Sequence, residues 1–332
     1  MLQGANRNFT YEDNWKYPEC PEGWAIVKVA FSGICGSDLP RFGEQGAYHY
    51  PVILGHEFSG EVVKSTGKTG IREGDKVAVL PLMPCMQCEA CKDQQYFHCK
   101  SYQFIGSRND GGFGEFCAVK EENLFKLPPD MDIKEASLIE PALVGLHVVR
   151  RSGFRAGMRA IVFGAGPIGL MVASWLRVLG AGEIVISDVR DYSLNIAGEL
   201  GFTKVFNPKA QDVEDIGTFD VSFEAAGAGA ALQNAIRVTR NNGSVTVVGR
   251  DIGDTVIPVK LFEMMMRKEI SLLGCWGYKM EGEEELVYNT FKNGTLRLNR
   301  FITHIVSPGD TVETVRKMLD KQIEYCKVLI QF

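Results

Sequence analysis

Cys35 and Ser37 share the loop GICGSD, and His56 and Glu57 share the run LGHEFSGEV. A thiolate, an imidazole and a carboxylate are donors that zinc accepts, and a catalytic zinc keeps one position for water or a substrate oxygen. Cys35 and His56 are therefore candidate first ligands. Glu57, directly after the histidine, and Glu140, in IEPALVGLH, are the candidate carboxylates. Zinc lowers the pKa of a bound alcohol, so its proton can leave near neutral pH while hydride departs from carbon. Ser37 is placed to accept that proton and pass it outward, although a serine that merely caps turn amides has the same spacing. Asp38 is expected to orient a ligand, not to act as a base. Taken alone, a cysteine and a histidine twenty-one residues apart fit a buried thiol and a core histidine equally well, so the surrounding chain has to decide.

Cys85, Cys88, Cys91 and Cys99 form C-x2-C-x2-C-x7-C. Four thiolates on closely spaced turns close a tetrahedral shell around zinc and leave no position for substrate, which is the signature of a structural site. Local disulfides and an iron–sulfur cluster fit the spacing less well. His98, beside Cys99, reads as a surface histidine.

A third constellation is RAIVFGAGPIGL, where an apolar run enters G-x-G-x-x-G at Gly164, Gly166 and Gly169 and continues into a helical segment opened by Pro167 and Ile168. The glycines permit a tight turn, close approach of a pyrophosphate and tight helix–strand packing. EIVISD ends in Asp188, nineteen residues after Gly169, where a carboxylate accepts from adenosine ribose hydroxyls. That favours NAD, since a 2′-phosphate meets a like charge; Arg190 close by keeps NADP as the alternative. FEAAGA and VTVVGR end apolar runs at Gly227 and Gly249, which are expected either to approach the nicotinamide half or to serve turn geometry alone.

These loops need elements to hold them. Ala25 to about Lys126 is rich in Gly, Pro and short β-branched runs (AIVKVAF, GEVVKS, GDKVAVLP), as in a mostly-β domain. From about Glu140 short apolar runs alternate with segments of helical length, the pattern of a doubly wound parallel sheet. The class is thus α/β, with residues 1–140 and 276–332 expected in a catalytic domain and 141–275 in a dinucleotide-binding domain. A chain of 332 residues, 45% hydrophobic and 23% charged, suits two folded domains. The net charge of −5 is spread along the chain with no basic stripe, which argues against nucleic acid as a partner. The longest uncharged stretch, Ala160 to Leu176, is broken by glycines and proline and is too short for a membrane span. The opening residues lack a secretory pattern, and nine cysteines, four of them clustered, read as reduced thiols, so a cytoplasmic location is expected.

Together GICGSD, GHEFSGEV, the four-cysteine lobe, the glycine fingerprint and Asp188 resemble the zinc-dependent medium-chain alcohol dehydrogenase family over nearly the whole chain. Within it, CGSDLPR, YPVILGHEFSG, PLMPC and FIGSRNDGGFGEF are most similar to the polyol and polyol-phosphate group. The resemblance implies a GroES-like catalytic domain, a Rossmann domain, and assembly into homodimers or homotetramers. It also implies that Cys35, His56 and Glu140 hold the catalytic zinc, with Glu57 a ligand in some relatives. Liver-type relatives carry a cysteine near the Glu140 position; the glutamate here turns the expectation from simple alcohols to polyols. If the substrate carries a phosphate, Arg41, after the Cys35 loop, and Arg108, in GSRNDGG, are candidate clamps. Lys260 and Arg267 are weaker ones. The competing readings are an unphosphorylated polyol, butanediol or threonine as substrate and, in a different class, a non-catalytic zinc- and nucleotide-binding scaffold.

Overall fold

The run WAIVKVAFSGI is rich in β-branched and aromatic residues and forms β1 (Trp24–Ile34), whose Ala25, Val27 and Val29 enter a core with Phe58, Val62, Val77 and Val119. Each valine or phenylalanine among them contributes about 1.5–3 kcal/mol on full burial, which ties the register of the sheet to its apolar face. The computed structural model describes residues 1–250, 254–279 and 282–332. The chain forms two units, Met1–Glu140 with Ile302–Phe332, and Pro141–Phe301.

In the first unit β1 is followed by β2 (Glu57–Ser65), β3 (Lys76–Val79), β4 (Leu82–Met83), β5 (Gln103–Phe104), β6 (Phe116–Lys120) and β7 (Leu124–Lys126). The antiparallel pairing of β1 with β2 carries register shifts at Ile26/Val27 and Val29/Phe31. Such irregularities bend a strand and re-aim its side chains. Beyond the second shift Gly33 pairs with Glu57, which sets the start of β2 beside the loop that follows β1.

The second unit contains β8 (Arg159–Phe163), β9 (Glu183–Ser187), β10 (Val205–Phe206), β11 (Phe219–Glu224), β12 (Thr239–Val247) and β13 (Ser271–Gly274). They pair in parallel in the order β10-β9-β8-β11-β12-β13. The order reverses between β8 and β11, and ligands of doubly wound sheets bind at the strand carboxyl ends at such a reversal.

The chain re-enters the first unit at Ile302, which corrects the expected return at Trp276. The helix Glu284–Lys292 and the turn Leu298–Phe301 stay with the second unit. Arg150 Nε pairs with Glu283 Oε1 at 2.9 Å, and Arg300 donates to the Glu199 carbonyl at 2.9 Å, while Val287, Leu298 and Phe301 are buried. The amphipathic pattern revealed a helix but not which core its apolar face would join. The last strands, β14 (Ile302–Val306) and β15 (Lys327–Gln331), are parallel to each other, and β15 pairs antiparallel with β1 through Phe31–Ile34. The resulting order is β14-β15-β1-β2-β3-β7, with β6 also on β1. Among the described residues no helix is long and apolar enough to cross a membrane.

Candidate active site

Cys35 leaves β1 into a turn closed by Asp38, whose amide donates to the Cys35 carbonyl at 3.0 Å and whose Oδ2 accepts from the Cys35 amide at 3.0 Å. The turn continues into Leu39–Phe42, with Pro40 in its first turn where a missing N–H costs nothing. His56 immediately precedes β2 and Glu57 begins it, so the Gly33–Glu57 pairing delivers both to the Cys35 turn. The ligand atoms of Cys35, His56 and Glu57 all lie within 4.8 Å of one another.

His56 and Glu57 are buried, and the Phe104 ring meets the imidazole edge-on at 5.6 Å. His56 Nδ1 lies 3.4 Å from Asp38 Oδ1, yet the pair lacks hydrogen-bond geometry and neither atom has another partner. Burial opposes charge on this imidazole, but Asp38 and the Cys35 sulfur overcome it and hold the His56 pKa well above its ordinary value. A thiol, an imidazole and a carboxylate converging around a buried histidine whose second nitrogen faces an aspartate fit a zinc ion, which would stand where that extra proton otherwise does. Asp38 has the orienting position expected of it.

Glu140 opens the helix Ile139–Arg151 and is buried beside the cluster. Burial raises its carboxyl to about 7, with His56 opposing and Glu57 reinforcing the rise. Its oxygen is not within the group formed by Cys35, His56 and Glu57, so the structure gathers Glu57 first and leaves Glu140 as a neighbour. Sequence reasoning did not single out Lys327 on β15, whose Nζ lies 2.9 and 2.6 Å from the two Glu57 oxygens with both side chains buried. Burial disfavours this ammonium, and the Glu57 carboxylate more than compensates, raising its pKa. The one available signal was a lysine inside the otherwise apolar strand CKVLIQF.

Ser37 Oγ donates to Cys35 Sγ at 3.3 Å. Arg41 donates to the Ser37 carbonyl at 2.8 Å, and the Arg108 amide donates to the carbonyl of Phe104, the residue that packs on His56. Tyr48 lies between these arginines, with the Arg41 guanidinium 6.0 Å and the Arg108 guanidinium 4.4 Å from its ring; Tyr102 stacks on Arg108 at 4.4 Å. Neither tyrosine stands in a motif that would single it out. Lys260 and Arg267 lie on Val259–Arg267 in the other unit.

The four-cysteine lobe also assembles. Cys85, Cys88, Cys91 and Cys99 bring their sulfurs within 4.8 Å of one another, as free thiols. The Gln87 and Cys88 amides point at Cys85 and hold its pKa down at about 6, which suits a thiolate ligand. His98 is exposed and bonded to Gln95, outside the four sulfurs.

In the second unit Gly164 follows β8 with φ +106°, and a Cβ there would stand 2.6 Å from the Ala226 amide nitrogen. A Cβ at Gly169 would collide with the Gly164 carbonyl. Gly166, by contrast, faces open space at the start of Pro167–Val178, whose first turn, including Ile168, has no side-chain cap. Free amides, a helix N-terminus and room for close approach fit a dinucleotide pyrophosphate. Asp188 Oδ2 accepts from the Ala165 amide at 2.8 Å and Oδ1 from the Arg190 amide at 2.9 Å, which fixes the carboxylate at the end of β9. Gly227 and Gly249 pack closely on each other's loops: a Cβ on Gly227 would meet the Arg250 carbonyl, and one on Gly249 the Gly227 amide. Buried Glu224, not anticipated from sequence, ties this loop by accepting from the amides of Ala226, Gly227 and Ala228.

Residues 21–129 match the alcohol dehydrogenase GroES-like domain, and residues 167–293 match the zinc-binding dehydrogenase domain. The chain belongs to the zinc-dependent medium-chain alcohol dehydrogenase family. Galactitol 1-phosphate 5-dehydrogenase of Escherichia coli is 37% identical over 258 residues, 75% of each chain. Sorbitol dehydrogenase of Bacillus subtilis is 31% identical over 94% of this chain and 91% of its own. Among solved structures, galactitol-1-phosphate dehydrogenase from Escherichia coli superposes with a TM-score of 0.93 at 31% identity, covering 99% of both chains. This medium-chain dehydrogenase thus has the GroES-like and doubly wound domains that its motifs resembled, and it is an oxidoreductase of the zinc-dependent alcohol and polyol type.

Proposed function

We propose that the enzyme oxidises a secondary alcohol of a sugar-alcohol phosphate and passes hydride to NAD, with galactitol 1-phosphate to tagatose 6-phosphate as the favoured pair. The observation that carries the phosphate is the Arg41–Tyr48–Arg108 cluster: among the described residues neither guanidinium has an acidic partner, although both stand on backbone joined to the metal-ligand loops. Two cations held together without a counter-ion suit a dianion, and planar guanidinium donors suit phosphate oxygens. The names of the relatives support the polyol class, since one acts on a polyol phosphate and another on sorbitol. The sorbitol relative is also why an unphosphorylated polyol remains the second reading, ahead of butanediol or threonine.

In this reading Cys35, His56 and Glu57, with Glu140 as exchange partner, hold the catalytic zinc. Cys85, Cys88, Cys91 and Cys99 hold a structural one. When bound, zinc supplies Lewis acidity toward the alcohol and NAD supplies the hydride acceptor. Ser37 Oγ holds the departing proton, and Asp38 keeps the His56 ring turned. Gly164, Gly166 and Gly169 receive the pyrophosphate, Asp188 the ribose, and Gly227 and Gly249 line the nicotinamide half.

An NADH-formation screen over polyols and their phosphates tests this with Arg41→Ala and Arg108→Ala alongside. Charge-assisted bonds of about 1.5–3 kcal/mol predict losses of about 10–100-fold in kcat/KM, confined to phosphorylated substrates. Full activity of both variants on every substrate would sink the phosphate assignment. A single tightly held zinc and no NADH from any polyol would favour a scaffold instead.

We further propose a cytoplasmic homo-oligomer. In support, β13 pairs only with β12 among the described residues, and Leu272 on β13, Trp276 just after it, and Val259, Phe262 and Met266 on the helix that precedes it are exposed. An open strand edge flanked by apolar side chains favours pairing with a second copy. Light scattering at micromolar concentration should report more than one chain per particle.

A further inference from the structure

Arg108 is a cation that the protein holds by its aromatic neighbours. Among the described residues its side chain makes no hydrogen bond and no ion pair, and its Nε is buried without a partner. The guanidinium meets two phenol rings instead, those of Tyr48 and Tyr102, each centred 4.4 Å from Cζ. The backbone brings both rings to it. Tyr102 stands two residues before Phe104, whose carbonyl accepts from the Arg108 amide at 2.9 Å, and His49, next to Tyr48, donates through Nε2 to the Arg108 carbonyl at 3.1 Å. Arg41 is anchored differently, by its hydrogen bond to the Ser37 carbonyl at 2.8 Å, and it reaches the Tyr48 ring only at 6.0 Å. A carboxylate in the place of these rings would fix the guanidinium but cancel its charge. An aromatic face attracts the cation through the ring quadrupole and restricts where it can go, yet leaves the net charge and the in-plane N–H donors to a ligand.

We infer that Tyr48 and Tyr102 are positioning residues that pre-set Arg108 as an anion receptor, so that preference for a phosphorylated over a neutral polyol is built by the two rings together with the arginine. The inference rests on the phosphate reading of the Arg41 and Arg108 cluster. The benefit is entropic: an arginine free in solvent gives up rotamers when it binds, and one already held over aromatic faces gives up fewer. It falls on the binding of phosphate and not on the hydride step. The rings therefore govern KM and leave kcat alone.

Calorimetry of inorganic phosphate binding to the zinc-loaded enzyme, with NAD bound so that the pyrophosphate site is filled, reads this apart from turnover. Tyr102→Leu and Tyr48→Leu should each weaken phosphate binding about three- to tenfold, the scale of one cation–π contact. Tyr102→Phe, which keeps the ring, should bind within about twofold of the wild type. In an Arg108→Ala background Tyr102→Leu should add less than about twofold, because a ring that acts only through the guanidinium has nothing left to hold. With galactitol 1-phosphate the leucine variants should raise KM by the same factor at unchanged kcat, and with sorbitol neither constant should move. Wild-type phosphate affinity in both leucine variants overturns the inference, and so does an equal loss with sorbitol, which a merely structural role predicts. Tyr48 is 62% exposed, so Tyr48→Leu decides the matter if Tyr102→Leu does not fold. Arg41→Ala and Arg108→Ala that both bind phosphate like the wild type remove the underlying phosphate reading, whereas a loss in Arg108→Ala with none in the leucine variants removes this inference alone.

Discussion

His56 Nδ1 and Asp38 Oδ1 face each other at 3.4 Å, both buried and neither otherwise bonded. Asp38 also accepts from the Cys35 amide, so one carboxylate touches both of the first two candidate ligands. Asp38→Asn keeps an oxygen for the amide but loses the charge facing the imidazole. Loss of such an outer-shell carboxylate costs about 10–100-fold in metal affinity. Competition against a fluorescent zinc chelator should show that loss for one zinc per chain and spare the other. Retention of both zincs at wild-type affinity would mean that Asp38 only shapes the turn.

Two glycines of one fingerprint should respond in opposite ways. A Cβ at Gly169 collides with the Gly164 carbonyl, whereas one at Gly166 meets nothing within 4 Å. Gly169→Ala should therefore destabilise the protein by about 1–3 kcal/mol, as overpacking does, and this is measurable by urea unfolding. Gly166→Ala should leave the unfolding midpoint nearly unchanged and raise the dissociation constant for NADH at least about tenfold, by occupying the space a pyrophosphate needs. Unaltered NADH binding in Gly166→Ala would place the cofactor elsewhere.

Asp188 is held by the Ala165 and Arg190 amides, an arrangement that asparagine can partly preserve. Asp188→Asn removes the charge that repels a 2′-phosphate and leaves Arg190 free of its carboxylate partner. A charged hydrogen bond is worth about 1.5–3 kcal/mol, so the ratio of kcat/KM for NADP to that for NAD should rise about 10–100-fold. Steady-state kinetics with both cofactors measures it, and a constant ratio would show that Asp188 does not select the cofactor.

Glu121 is a buried carboxylate outside these candidate sites. Its oxygens accept from the Ser65 and Thr66 hydroxyls and from the Thr66, Gly67 and Thr69 amides. Burial pushes its pKa up, but these donors, led by the Thr66 hydroxyl, win and bring it from 4.5 to about 2. The folded protein thus holds this proton less tightly than the unfolded chain. The stabilisation is complete above about pH 4.5 and is lost as pH falls toward 2. Glu121→Gln should cost about 1–3 kcal/mol at neutral pH and flatten the pH dependence of stability across that window, as read by unfolding at several pH values.

Local chemistry was legible in the sequence because it is written in short spacings. C-x2-C-x2-C-x7-C, GHE and G-x-G-x-x-G each place their atoms through one or two turns of backbone, so Cys85 to Cys99, His56 with Glu57, and Gly164 to Gly169 could be named without a fold. Alternation of β-branched residues and of strand-length with helix-length runs likewise gave the α/β class, because period and length are local properties. Only the tertiary structure could bring Lys327 to Glu57, 270 residues away in the chain, or set Tyr48 between Arg41 and Arg108. It also gathered Glu57, and not Glu140, with Cys35 and His56, and moved the return of the chain from Trp276 to Ile302. Each of these depends on which apolar face packs on which core. That choice is made by the sum of many weak contacts across the sheet, and no single motif encodes it.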